Sequence, residues 1–167
     1  PGYGPNKQLA DGRTIAQHYN AWMGYWMRYF QQRAREGISI EIASPTYAKY
    51  TVANYTNIYD LTKSKALKNQ AKNFLDLYWA DVAQEFIPGT PPPGKIGMRG
   101  GAETRAYQEG AAISGNFVLR TWTNMYDWFG TTITGTDHPM ILIPATSTYS
   151  PPDLVRNIAR DINKPPY

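Results

Sequence analysis

The first candidate for chemistry is a single carboxylate inside an apolar run that leads directly into a helix start. In GISIEIASPTYAKY, residues 37–50, Glu41 is flanked by isoleucines, and Ser44 and Pro45 follow shortly after it. Ser followed by Pro is a strong signal for a helix N-terminus. If the segment before Ser44 crosses the end of a helical layer, Glu41, Ser44 and Tyr47 meet at the mouth of a cavity. A buried carboxylate there needs a partner, so Glu41 is either functional or a structural ion-pair residue.

The second candidate is the glycine-flanked segment MRGGAETRAY, residues 98–107. Its paired glycines let the backbone approach a ligand closely. Arg99 and Arg105 could orient a carboxylate or bind an acidic sugar, and either could grip Glu41 through two parallel hydrogen bonds. Tyr107 could act as an acid or base if its pKa were lowered. The alternative interpretation is a solvent-exposed loop with ordinary charges.

Several other chemistries are not indicated by the sequence. There is no Cys, which excludes disulfides and thiolate metal sites. His18 and His138 are the two histidines, and each is more consistent with a structural role than with catalysis. Without a tight carboxylate cluster they predict no metal site. No G-x-S-x-G, P-loop or dinucleotide-binding motif is present, so we expect no cofactor.

Composition favours one folded domain over residues 1–167. Hydrophobic residues make up 42% and charged residues only 18%, which argues against disorder. The 13 Tyr and 5 Trp suit both a core and a sugar-stacking cleft, and we expect most to fill the core. The net charge of +4 includes four lysines on one segment, interpreted as a solvated helix face and not a nucleic-acid site. No apolar run approaches the roughly 20 residues of a membrane span.

Hydrophobic periodicity predicts a mainly α protein. The expected helices cover residues 8–36, 45–61, 64–86, 114–129 and 150–162. The first should end at Gly37, and its apolar stripe is Ile15, Tyr19, Trp22, Met23, Trp26 and Phe30. Ser64 and Ser150 are the expected caps of the third and fifth helices. The Gly/Pro-rich segment 87–114 is predicted to be a long functional loop. Residues 138–147 are predicted to form a short buried strand or extended segment near the C-terminus.

Charge distribution predicts how the second and third helices are placed. Lys49 is the only charge between Pro45 and Tyr59, so the second helix should be covered on most sides. The third helix combines an apolar face with lysines and aspartates on its other sides, so it should lie outside. The residues predicted for its apolar face are Leu67, Ala71, Phe74, Leu75, Tyr78 and Val82. This alternation of covered and half-exposed helices predicts αα-hairpins whose inner helices face a shared centre.

Three segments together resemble a known family. EIASPTYAKYTVANYTNIYDLT, FLDLYWADVAQE and RGGAETRAY are similar to bacterial (α/α)-toroid proteins acting on polysaccharides, which include the heparinase II/III-like lyases and relatives of unassigned activity. YSPPDLVRNIARDI resembles the passage from such a toroid toward a β-sandwich. The likeness covers roughly residues 20–162. It implies that these αα-hairpins form part of an (α/α) toroid and are the C-terminal part of a larger one.

The resemblance also implies a glycan cleft in which aromatic rings, Trp79 among them, stack on sugar faces. In a lyase, Tyr47 or Tyr107 would remove the proton beside a uronate carboxylate. Arg99 or Arg105 would neutralise that carboxylate and make the proton more acidic.

In a hydrolase, Glu41 would be one of two carboxylates flanking the scissile bond, and Glu103 is the expected second one. Ser44 would contact substrate beside Glu41. The expected partner is a polysaccharide, neutral or acidic, together with other parts of the same parent chain, in a secreted or periplasmic protein.

Two other function classes stay open. One is a non-catalytic glycan-binding or surface-assembly protein built on the same helices. The other is a helical interaction module unrelated to sugars. Substitution of Glu41 by Gln separates the first of these from an enzyme, because an enzyme would lose turnover and keep its glycan affinity.

Overall fold

A computed structural model describes residues 3–38, 45–85, 128–129, 143, 146–161 and 163. Of these described residues 73% are helical, and they contain no strand, which confirms a mainly α fold. The four helices in this part of the chain are α1 (Ile15–Glu36), α2 (Pro45–Leu61), α3 (Lys65–Glu85) and α4 (Asp153–Arg160). The loop predicted over residues 87–114 lies outside the described residues, and the toroid stays a prediction.

The first helix begins at Ile15, whereas periodicity predicts a start at residue 8. Thr14 is its N-cap and forms a capping box with Gln17. The Thr14 hydroxyl accepts from the Gln17 backbone N–H at 3.1 Å, and the Gln17 side chain accepts from the Thr14 N–H at 2.8 Å. Before this cap the chain folds back, since Gln8 bridges to Thr14. At the other end, the predicted stop at Gly37 is confirmed, with φ of 92°.

The second and third helices form an antiparallel αα-hairpin. The Tyr55 and Phe74 rings lie 5.0 Å apart, whereas Tyr59, later in α2, meets Lys68, earlier in α3. This reversed order of contacts shows that the two helices run in opposite directions. Ser64 caps α3 as predicted, because its hydroxyl accepts from the Leu67 N–H at 3.3 Å.

The third helix is the centre of the described fold. It packs against α1, α2 and α4. All six residues predicted for its apolar face are buried, namely Leu67, Ala71, Phe74, Leu75, Tyr78 and Val82. Trp79 and Ala83 are buried beside them, which widens the covered face. Segments that flank these helices lie outside the described residues, so the arrangement with α2 inside and α3 outside stays a prediction. On α2, Tyr50 and Asn54 are exposed.

The C-terminal part of the described chain is held against α3 by polar contacts as well as by packing. Tyr149 is buried, and its hydroxyl donates to Asp76 at 3.0 Å. Val155 and Ala159 of α4 join the same core cluster. The fifth predicted helix is thus present, but shorter than residues 150–162.

Two local predictions in this region differ from the structure. Ser150 does not cap α4, since the N-cap position is Pro152 and no side chain caps it. A residue that precedes a proline disfavours the α conformation. Ser150 and Pro151 each precede a proline, so both stay outside the helix. In the segment predicted to be extended, Ile143 and Thr146 are helical. Among the described residues, none of the helices has the length and apolarity to cross a membrane.

Candidate functional site

Most of the sequence-predicted site residues fall outside the part of the chain that the structure describes. Tyr47 lies in the first turn of α2, but only its backbone is described. The proposed roles in catalysis and substrate binding therefore stay predictions for the following residues: Glu41, Ser44, Tyr47, Arg99, Glu103, Arg105 and Tyr107.

Trp79, the aromatic candidate for sugar stacking, lies in the core. Its side chain is 2% exposed. Its ring packs edge-on against Tyr78, Trp128 and Phe129, with centroid distances of 5.3, 5.1 and 6.0 Å. A sugar can stack only on a ring with an open face, so this placement favours a core role for Trp79.

An exposed line of aromatic side chains runs along α1. We call Tyr19, Trp22, Tyr25 and Tyr29 the aromatic row. Tyr19 is 53% exposed, Trp22 59% and Tyr25 45%. Their spacing of three or four residues keeps them on neighbouring turns of one flank. The Trp22 and Tyr25 rings meet edge to face at 5.7 Å, and the Tyr25 and Tyr29 rings stack at 5.8 Å.

The row exists because the aromatic side chains of α1 are divided between the core and an exposed flank of the helix. Six of the 22 residues of α1 are aromatic, too many for one core face. Phe30 is fully buried and touches Tyr55 and Phe74, while Trp26 is partly buried beside it. The sequence pattern placed Tyr19 and Trp22 in the same apolar stripe as Phe30, but the structure leaves both exposed.

The row ends in a group of hydroxyls and a guanidinium. The Tyr29 and Tyr55 hydroxyls are hydrogen-bonded at 3.0 Å. Arg33 lies 5.8 Å from the centroid of the Tyr29 ring. Its Nε atom is shielded from solvent and has no hydrogen-bond partner among the described residues. This end of the row is therefore positively charged and suited to an anionic group.

Three tyrosines of the hydrophobic core have hydroxyl groups that hold their protons tightly. Burial, followed by the hydrogen bond with Tyr29, raises the pKa of Tyr55 well above its usual range. Burial likewise raises the pKa of Tyr78, and burial followed by the Asp76 charge raises the pKa of Tyr149. Each of these hydroxyls is therefore a weaker acid than a free tyrosine, which favours a structural role over proton transfer.

His18 contacts the segment that precedes α1. Its Nε2 atom lies 2.9 Å from an Asp11 carboxylate oxygen, which joins the chain before α1 to the helix. Among the described residues no group of three or more His, Cys, Asp or Glu side chains could hold a metal ion.

The sequence contained a usable signal for the row. Tyr25 and Tyr29 fall outside the stripe defined by Trp22, Trp26 and Phe30, yet they follow Trp22 at helical spacing. A second aromatic line beside a core face is the pattern of a helix with two apolar contacts. The sequence pattern did not show that this second aromatic line is left uncovered by the described elements.

Comparison with known proteins adds no relative, since no family model, curated protein or solved structure matches this chain. The class is set by the described structure alone: a mainly α protein with an αα-hairpin and an exposed aromatic row.

Proposed function

We propose that this chain is part of a carbohydrate-active protein and binds a polysaccharide along the aromatic row of α1. The observation that supports the proposal most is the exposure of Tyr19, Trp22 and Tyr25 on one flank of one helix. Tyr and Trp combine an apolar ring with a polar edge. Such rings suit a sugar, which has apolar C–H faces and a rim of hydroxyls.

The length of the row suits an extended ligand. Tyr19 and Tyr29 are ten residues apart, which corresponds to about 15 Å along a helix. Several consecutive sugar units fit such a distance. The large apolar side chains exposed on α1 are all aromatic, with no exposed Leu, Ile, Val or Met among them. A surface made for packing against another protein core would contain aliphatic side chains as well.

The charge at the end of the row favours acidic polysaccharides. Arg33 has no ion-pair partner within the described ranges, and it lies beside Tyr29 at the row's C-terminal end. A uronate carboxylate on the bound polymer would supply that partner. Acidic polymers are therefore the first ones to test.

A lyase or glycosidase reaction would need residues beyond the row. Glu41, Tyr47 and Tyr107 are the proposed catalytic residues, with Arg99 and Arg105 as the proposed carboxylate ligands. In this proposal the row holds the polymer and those residues act on it. A binder without activity would use the row alone.

The binding proposal is tested with a panel of soluble polysaccharides. Affinity electrophoresis and calorimetry would compare uronate polymers, such as alginate and polygalacturonate, with neutral dextran and laminarin. We expect binding of at least one polymer and a loss of about tenfold in affinity for Trp22→Ala, which corresponds to about 1.4 kcal/mol. Tyr3→Ala is the matched control, because Tyr3 is 70% exposed but lies outside the row.

Two results would contradict polysaccharide binding at the row. One is the absence of binding to every polymer. The other is an equal loss for Trp22→Ala and Tyr3→Ala. The reaction is tested separately by following the ultraviolet absorbance of an unsaturated product. Glu41→Gln and Tyr107→Phe should abolish turnover and preserve affinity if the chain is an enzyme.

A further inference from the structure

A cavity of about 330 Å³ lies at the end of the α2–α3 hairpin. We call it the hairpin cavity. Its walls come from the last two turns of α2, the first turn of α3 and three residues near the C-terminal part, Ile143, Thr146 and Thr148. The volume is at the lower end of the range for small-molecule sites, roughly 300–1,000 Å³. The cavity therefore suits one small molecule and not a polymer, and it is separate from the aromatic row.

One wall is fixed by a hydrogen-bonded carboxylate. An Asp60 oxygen, Oδ1, accepts from the Thr148 backbone N–H at 3.2 Å and from the Thr148 hydroxyl at 2.8 Å. These bonds hold the side chain of Asp60 in place and connect α2 to the segment that covers the cavity. The second oxygen, Oδ2, has no hydrogen bond within the described structure, so it can accept one from a ligand.

The cavity is also lined by Lys68, which forms no ion pair with the described residues. Lys68 Nζ lies 4.5 Å from the centroid of the Tyr59 ring, which positions its side chain at the cavity. One turn later on α3, Lys72 pairs with Asp76 at 2.6 Å. Lys68 has no such pair in the described part of the chain. Two lysines of one helix therefore differ, and the one that has no ion pair within the described residues lines the cavity.

We propose that the hairpin cavity binds a small polyhydroxylated anion, such as a sugar acid or a sugar phosphate. The anionic group contacts Lys68. Hydroxyls of the ligand donate to the free oxygen of Asp60 and exchange hydrogen bonds with the amide of Asn57, which also lines the cavity. A carboxylate and a phosphate share this chemistry, and the experiment distinguishes between them.

The arrangement explains why a neutral sugar is the poorer ligand. The Asp60 carboxylate repels an anionic group, so such a group is directed to the Lys68 side of the cavity. The hydroxyls then fall on the Asp60 side, where a carboxylate is a strong acceptor. A neutral sugar of equal size would keep the hydroxyl contacts and lose the charge contact.

The test uses three probes of similar size, namely glucuronate, glucose 6-phosphate and glucose. Calorimetry and NMR titration of the whole chain would measure their affinities. We expect at least one anion to bind tenfold or more tightly than glucose. Lys68→Met should reduce its affinity to the level of glucose, and Lys68→Arg should retain most of it. Lys65→Met is the matched control, because Lys65 is exposed on the same helix and does not line the cavity.

The anion that binds identifies the headgroup, since binding of glucuronate alone indicates a carboxylate and binding of glucose 6-phosphate alone a phosphate. The proposal is overturned if neither anion binds at millimolar concentration, or if glucose binds as well as both. It is also overturned if Lys68→Met binds the anion like the wild type, or if Lys65→Met loses as much. Near-ultraviolet circular dichroism of each variant shows that it is folded. None of these outcomes depends on polysaccharide binding at the aromatic row.

Discussion

The first and third helices are similar in length and in their mixture of residue types, but their aromatic side chains lie in opposite environments. α1 has 22 residues and α3 has 21, and both combine aromatics with charged side chains at helical spacing. On α3 every aromatic is buried, namely Phe74, Tyr78 and Trp79. On α1 Phe30 is the only buried residue, whereas Tyr19, Trp22 and Tyr25 of the aromatic row face solvent and Tyr29 is half-buried.

The difference shows that the neighbours of an aromatic side chain, and not its residue type, decide whether it contributes to stability or to ligand binding. On α3 small residues such as Ala71 and Ala83 allow other helices to approach, and the aromatics between them become core. On the row of α1 no described element approaches. Burial converts such side chains into stability, and exposure leaves them available to bind a ligand. We therefore expect α3 to determine stability and α1 to determine recognition.

The largest expected effect compares one tryptophan from each helix. Trp79→Ala removes a fully packed ring and should lower the free energy of unfolding by about 3–5 kcal/mol. Trp22→Ala removes an exposed ring and should change it by no more than about 0.5 kcal/mol. Urea denaturation followed by far-ultraviolet circular dichroism measures both values.

If Trp79→Ala does not fold, Trp79→Phe keeps an aromatic ring and should show a smaller loss of the same sign. Equal losses for Trp22→Ala and Trp79→Ala would mean that the row is covered in solution. The proposed division between a stabilising and a recognising helix would then be wrong.

The same two helices show how much of the fold the sequence predicts. The apolar face of α3 was predicted residue by residue, because a 3.6-residue period identifies which side chains share a face. The bounds of α2, at Pro45 and Leu61, also match the prediction, since a proline at the first position is a local signal. Local chemistry and periodicity are therefore sufficient for these elements.

What the sequence did not predict is which faces are covered. Exposure of the row depends on where other segments pack, and no periodicity contains that information. Which helix of the α2–α3 pair is the inner one depends on the same information. The start of α1 was a different error, because Thr14 and Gln17 have the spacing of a capping box in the sequence itself.

The candidate site was less predictable than the fold. The predicted acid, Glu41, and the predicted arginines, Arg99 and Arg105, lie outside the described residues. The aromatic row was not predicted as a site, because Tyr19 and Trp22 were assigned to a core stripe and no role was assigned to Tyr25 and Tyr29. Function on a surface depends on the absence of a covering element, which a single sequence does not show.

A smaller effect compares the two helix starts. Thr14→Ala and Ser64→Ala each remove a cap, worth about 1 kcal/mol. The first turns of α1 contain no buried residue, so Thr14→Ala should act locally. Amide exchange of Gln17 and His18 should accelerate roughly fivefold, as 1 kcal/mol implies. The helix that begins after Ser64 is packed on three others, so Ser64→Ala should lower the global free energy of unfolding.

The contrast between the caps would fail in a recognisable way. If Thr14→Ala lowers global stability as much as Ser64→Ala does, and exchange in the first turn of α1 is unchanged, then α1 unfolds together with the core. The two helices would then form one cooperative unit.

The smallest expected effect concerns the segment before α1. Asp11 accepts a hydrogen bond from the Arg13 backbone N–H at 3.1 Å and contacts His18. The bond from Arg13, followed by the contact with His18, holds the pKa of the Asp11 carboxyl below its ordinary value of 3.8. A carboxyl whose pKa is lower in the folded state stabilises that state above the unfolded pKa and loses this contribution as the pH falls through the folded pKa. The difference in melting temperature between wild type and Asp11→Asn should therefore be constant at neutral pH and shrink below about pH 4. Asp11 is exposed, so we expect the difference to be small and to decrease with added salt.

A difference in melting temperature that grows on acidification would show that contacts other than this carboxylate hold the segment against α1. The start of α1 would then resemble the packed start of α3 more closely than its exposure suggests.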